Sequence, residues 1–231
     1  VFQQLYASEK EDAVRVAACR GMIQASGKDA LPLMSAAITG EEGASQIAAL
    51  QLVREVAAPG ATKTFGALLP AVAPPVQVAL IEGLSQRGET SAARDIVALV
   101  SGASPEGRVA ARNALGILGD ATAVPLLAVT AASAAGAEQK AARLALIQLR
   151  RAKVTETLLR LLPEAKPEVQ AEVARALGER GDTTAVPTLV ALAGQGSEAA
   201  ARVARQALAL LVDDSQLGIM VQFVVEAKSE A

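Results

Sequence analysis

The sequence predicts an all-α solenoid of helical hairpins, and three observations predict it. Apolar residues return every 31 positions, glycine, aspartate and proline punctuate the chain between helical stretches, and the apolar content is almost free of aromatic rings.

The periodicity is carried by three columns. Met22, Val53, Leu84, Leu115, Leu146, Leu177 and Leu208 are apolar at every step, without insertion or deletion. Met34, Phe65, Ile96, Leu127, Leu158, Leu189 and Met220 keep the same register, and Ala18, Ala49, Leu80, Ala111, Ala142, Val173 and Ala204 are small or aliphatic throughout. Within one unit, Ala110, Ala111, Ala114, Leu115 and Leu118 fall on one face of a helix. Such a helix cannot bury its stripe alone, so neighbouring units must stack and share a core.

The punctuation divides each unit into a shorter outer helix, as in residues 122–132, and a longer inner one, as in residues 106–118. Gly27, Gly60, Gly88, Gly119 and Gly181 stand where a helix must end. Asp29, Thr90, Asp120 and Asp182 follow as N-caps for the next helix, and Pro74, Pro105 and Pro167 mark inner-helix starts. The chain is expected to open with part of an outer helix at residues 2–8 and to close with another at 216–227.

Composition sets the chemistry aside. Hydrophobic residues make up 52% and aromatics 2%, so the core must be packed from alanine, leucine and valine, which lets helices approach closely. With no histidine, zincin, Ser-His-Asp and Cys-His chemistry are excluded and no cofactor is expected. The single cysteine, Cys19, lies among small or apolar neighbours and reads as a structural thiol. A net charge of −2 gives no field that would gather nucleic acid, and no apolar run reaches the roughly 18–20 residues needed to cross a bilayer. The compartment, cytoplasmic or periplasmic, stays open.

The segments PEGRVAARNALGILGDATAVPLLAV (105–129) and PEVQAEVARALGERGDTTAVPTLVAL (167–192) resemble the short HEAT-like repeat, the class seen in the phycobilin lyase family and in many bacterial scaffold proteins. The resemblance covers essentially the whole chain. It implies one domain over 1–231, a right-handed α-solenoid (superhelix) of about seven HEAT-like helical hairpins, belonging to a longer and, from its alanine content, bacterial protein. It also implies an arginine near the start of each inner helix paired with an aspartate of an inter-repeat turn. Arg15 and Arg108 match that position, Gln46, Gln77, Gln139 and Gln170 replace it, and Ala201 loses it.

In that class the inner helices line a concave surface, where a partner binds. The column Cys19, Leu50, Ile81, Arg112, Arg143, Ala174 and Arg205 turns from apolar to basic along the chain, and Lys140, Arg175 and Arg202 lie near it at helical spacing. Arg112, Lys140, Arg143, Arg175, Arg202 and Arg205 are therefore read either as a basic strip for a protein, an acidic peptide or a phosphate-bearing partner, or as a solvated helix face with intrahelical ion pairs. The first-turn acids Glu106, Glu138, Glu168 and Glu198 serve their own helix dipoles.

A second candidate surface is the apolar C-terminal run. Leu217, Met220, Phe223 and Val224 are expected either to be covered by further repeats or to dock a partner or a second copy. A non-enzymatic binding scaffold is the expected function. The alternatives are a lyase-like catalytic scaffold using an acid such as Glu82, and a purely structural spacer.

Overall fold

A computed structural model describes residues 1–41, 43–211 and 218, and among them every regular element is a helix. The chain parts into two compact units between Leu118 and Gly119.

The first unit contains four hairpins. Outer α1 (Phe2–Ser8), α3 (Ala30–Thr39), α5 (Ala61–Leu68) and the broken pair α7 (Ala93–Val97) and α8 (Leu99–Gly102) alternate with inner α2 (Asp12–Ala25), α4 (Ala44–Leu52), α6 (Pro74–Arg87) and α9 (Pro105–Leu118). Inner helices pack in series, α2 on α4, α4 on α6 and α6 on α9. The second unit contains three. Outer α10 (Val124–Ser133), α12 (Val154–Glu164) and α14 (Val186–Gln195) alternate with inner α11 (Gly136–Gln148), α13 (Pro167–Arg180) and α15 (Glu198–Leu211), with α13 packed on both α11 and α15. The hairpin stack is the α-solenoid class that the periodicity predicts.

The three apolar columns are the core. Every described member is buried except Met22 at the first step, which is half-buried. Phe65 is fully buried, a packing residue rather than part of an aromatic site.

Close helix packing leaves the C-terminal carbonyls of each outer helix to be satisfied, and an inner-helix side chain does this at the same step in six hairpins. Gln46 donates to the Ile38 carbonyl (3.0 Å), Gln77 to Leu69 (2.8 Å), Gln139 to Ala131 (2.9 Å) and Gln170 to Leu162 (3.1 Å), each eight residues back. Where the glutamine is missing, an arginine one turn further along takes over. Arg112 donates to Val100 and Arg205 to Ala193, both at 3.2 Å and twelve residues back. The six carbonyls, 38, 69, 100, 131, 162 and 193, are themselves spaced by 31.

The ladder is largely amide, as the replacement of arginine by Gln46, Gln77, Gln139 and Gln170 implies, rather than an arginine–aspartate spine. Arg15 pairs within its own helix with Asp12 (3.6 Å) and stacks on the Tyr6 ring, and Arg108 donates to the Ala103 carbonyl. The repeat-to-repeat arginines stand at the other end of the inner helix. Arg87 donates to the Val53 and Val56 carbonyls and to Thr62, and pairs with Glu89 (2.6 Å). Arg180, 93 residues on, repeats every contact with Leu146, Leu149, Thr155 and Asp182. Both side chains are buried, and each ties one inner helix to the end of the one before.

The cap assignments divide. Asp120 accepts from the Thr122 N–H (2.8 Å) and hydroxyl (2.6 Å), which hold its carboxyl below the ordinary range. Asp29 and Asp182 make no capping bond, and Thr90 lies inside a 3-10 turn rather than before it. Asp182 is taken by Arg180 and Thr155 instead. Pro74, Pro105 and Pro167 each open an inner helix as expected. Gly181 ends α13 in a left-handed conformation, with the Asp182 N–H bonded to the Leu177 carbonyl. The proposed closing helix at 216–227 lies outside the described residues.

Lys153, before α12, adopts φ 65°, and Gly60 occupies the equivalent step three repeats earlier with φ 79°. A left-handed conformation strains a residue with a Cβ by roughly 1–2 kcal/mol. Lys153→Gly is expected to raise stability by about 1 kcal/mol in chemical denaturation, the extra freedom of glycine in the unfolded chain offsetting part of the relief.

Candidate functional site

The predicted basic strip divides between the two units, and the structure gives its members different roles. Arg112, in the first unit, is buried at 4% exposure with its guanidinium on the Val100 carbonyl, so it is a hairpin lock and not a contact for a partner. The cause is local: position 108 carries arginine in place of the glutamine that would otherwise reach this carbonyl. Arg205 does the same work at Ala193, where Ala201 has replaced the glutamine, though Arg205 stays exposed.

Arg143 is released from that task because Gln139 already caps Ala131. Its guanidinium instead crosses to the next inner helix and donates twice to the Glu172 carboxylate, at 2.7 and 2.5 Å. Arg175 approaches the same carboxylate from one turn along α13 (3.5 Å). The Glu172 side chain is only 8% exposed while those of Arg143 and Arg175 are 33% and 34% exposed. Hydrogen bonding to Glu172 holds the Arg143 pKa above its ordinary value. The two-bond fork fixes Arg143, while Arg175 is held to the same carboxylate only by the longer ion contact, its Nε making no hydrogen bond.

Lys140 on α11 and Arg202 on α15 are exposed and form no ion pair among the described residues. Between them on α13 stands Ala171, one 31-residue step from each. The inner-helix face of the second unit thus presents Lys140, Arg143, Arg175 and Arg202 around a small residue, with Glu172 buried beneath them and the exposed Glu179 also acting on Arg143, while Arg205 is turned onto the Ala193 carbonyl. Glu172 is the member that sequence reasoning missed. It lies in mid-helix, outside the first-turn acids, and the available signal was its i,i+3 relation to Arg175.

The inner-helix face of the first unit is polar and nearly balanced. An open groove of about 440 Å³ is lined by Arg20, Gln51, Arg54, Glu82 and Gln86. Arg20 donates to Gln51 (3.0 Å) and Glu55 (3.3 Å), and Arg54 to Gln86 (3.3 Å), so these cations are already engaged. Glu82, the acid considered for a catalytic role, is exposed on this groove rather than enclosed. Cys19 is buried, and that burial raises its thiol pKa against the opposing pull of Arg15. Among the described residues no cluster of three or more His, Cys, Asp or Glu is placed to hold a metal, and no helix is long and apolar enough to cross a membrane. Leu217, Met220, Phe223 and Val224 lie outside the described residues.

Residues 126–209 match the family model described as HEAT repeats. No curated protein matches the sequence. Among solved structures the chain is similar to YibA of Escherichia coli, with 14% identity, coverage of 96% of this chain and 86% of that one, and a TM-score of 0.51. It is also similar to the CpcE–CpcF complex of phycocyanin lyase from a Nostoc species (18% identity, 92% and 95% coverage, TM-score 0.48) and to human deoxyhypusine hydroxylase (16%, 84% and 97%, 0.40). At these identities the likeness concerns the fold. The HEAT-like character read from the sequence is borne out over the matched residues 126–209, and the described fold is a stack of helical repeats.

Glu172 and Arg143 are expected to be coupled. Glu172→Gln should cost about 1 kcal/mol, since its partners are one-third exposed and solvent screens the pair. A double-mutant cycle with Arg143→Ala in chemical denaturation should give a positive coupling; strictly additive losses would show the fork to be energetically silent.

Proposed function

We propose that the chain is a non-enzymatic interaction scaffold and that the inner-helix face of its second unit binds an acidic polypeptide. The observation that carries this reading is the Arg143–Glu172 fork, which orders Arg143, with Arg175 drawn to the same carboxylate, between the unpaired Lys140 and Arg202. A cation already held in place loses little side-chain entropy when a carboxylate arrives, so this face begins with part of the binding cost removed.

Charge counting favours a local acidic segment over a polyanion. Four cations against Glu172 and Glu179 leave a small positive patch on a chain whose net charge is −2, and among the described residues no aromatic side chain stands with them for a base to stack on. The alternative of a catalytic scaffold is weaker, since it needs an enclosed acid and Glu82 lies open. A structural spacer would have no use for unpaired cations at one face.

The test follows from separating the structural arginines from the available ones. Lys140→Glu with Arg202→Glu leaves the hairpin locks untouched, whereas reversing Arg112 would bury a carboxylate. A fluorescein-labelled polyglutamate peptide should bind the unaltered chain with an affinity that falls as salt rises. The double reversal should weaken binding at least about tenfold, roughly 1.4 kcal/mol. Equal affinity in the two proteins would remove this face as the site.

A further inference from the structure

One step of the repeat in the first unit is left unfilled. The position that closes the gap between successive inter-repeat turns runs Ala25, Val56, Arg87, Leu118, Leu149, Arg180 and Leu211, in 31-residue steps. From Arg87 onward every member is large and its side chain buried, the leucines at 1%, 0% and 5% exposure and the arginine side chains at 8% and 4%. At the second step the residue is the smaller Val56, only half-buried. The helix that should carry it has also ended early, since α4 stops at Leu52 after nine residues while α2, α6, α9, α13 and α15 each run for fourteen.

The result is a cleft of about 600 Å³ between the turn after α2 and the turn after α4, in the size range of small-molecule sites. Its walls include Ile23, Leu31, Leu52 and Val56. What fills the equivalent space one repeat later is the Arg87 side chain, held by Thr62 and Glu89. The residues equivalent to those two are here Leu31 and Ala58, so the polar partners of a guanidinium are gone and the lining asks for an apolar body. Lys28 stands on the rim, exposed and without an ion pair among the described residues. Glu55, the acid on the same rim, is already engaged by Arg20 and Arg54.

We propose that this cleft is a binding site for an amphiphilic carboxylate, whose apolar body takes the place of the missing column side chain and whose head meets Lys28. The apolar part supplies most of the affinity, through area removed from water. The rim charge selects the head group. This site is independent of the basic face of the second unit.

Octanoate and 1-octanol are suitable probes, titrated into the full chain and followed by backbone amide shifts. Saturable octanoate shifts are expected at residues 23–32 and 52–59. Val56→Phe, which plugs the cleft, should weaken both probes at least about tenfold while the melting temperature is held or raised. Lys28→Glu should weaken octanoate several-fold and leave octanol unchanged. Absence of saturable shifts at those residues, or full binding by a folded Val56→Phe protein, would overturn the site; equal loss of both probes in Lys28→Glu would overturn the carboxylate assignment.

Discussion

The hydrogen bond from an inner helix to the carbonyl end of its own outer helix is the constraint on which the hairpins depend. A hairpin with small side chains brings two helices close together, and closeness shields the last carbonyls of the outer helix from water. An unsatisfied buried carbonyl costs about 1–3 kcal/mol, comparable to what a hairpin gains from one leucine. The same carbonyl is met at positions 38, 69, 100, 131, 162 and 193, by glutamine in four hairpins and by arginine in two. The two solutions exchange as a pair. Gln46 and Gln77 accompany the apolar Leu50 and Ile81 one turn on, while Arg108 and Ala201 accompany the reaching Arg112 and Arg205.

That exchange decides which cations are free for function. A basic column read along the sequence mixes arginines that lock their own hairpins with arginines that do not, and no single position tells them apart. Their partners one turn earlier do. Arg143 follows a glutamine, so it is spare and turns outward to Glu172; Arg112 and Arg205 follow no glutamine, so they turn back into their own hairpins. Between successive repeats the division of labour differs again, with Arg87 and Arg180 clasping the end of the preceding inner helix at steps 93 residues apart.

The period and core were legible in the sequence because they rest on residue size and apolarity, which survive as regular columns: Leu84, Leu115 and Leu146 could be placed without knowing any contact. The prolines at 74, 105 and 167 were legible for a similar reason, since each fixes a local backbone angle. Polar roles were less so. Asp182 has the spacing of an N-cap but an arginine two residues before it claims its carboxylate, and Glu172 gains its meaning only from Arg143, 29 residues away. The cleft at Val56 was hidden for the opposite reason. It arises from a helix that stops early, and nothing in the apolar columns changes there.

Glutamine and arginine exchange at one carbonyl, and the last hairpin puts that exchange to the test. In the last hairpin, Arg205→Leu should cost about 0.5–1 kcal/mol by leaving the Ala193 carbonyl to solvent, and adding Ala201→Gln in that background should restore most of the loss. Ala201→Gln alone should change little, because Arg205 already holds the carbonyl. Stabilities from chemical denaturation of the four proteins would therefore show a coupling comparable to the single loss. Equal effects of Ala201→Gln in both backgrounds would contradict the claim that the two side chains serve one acceptor.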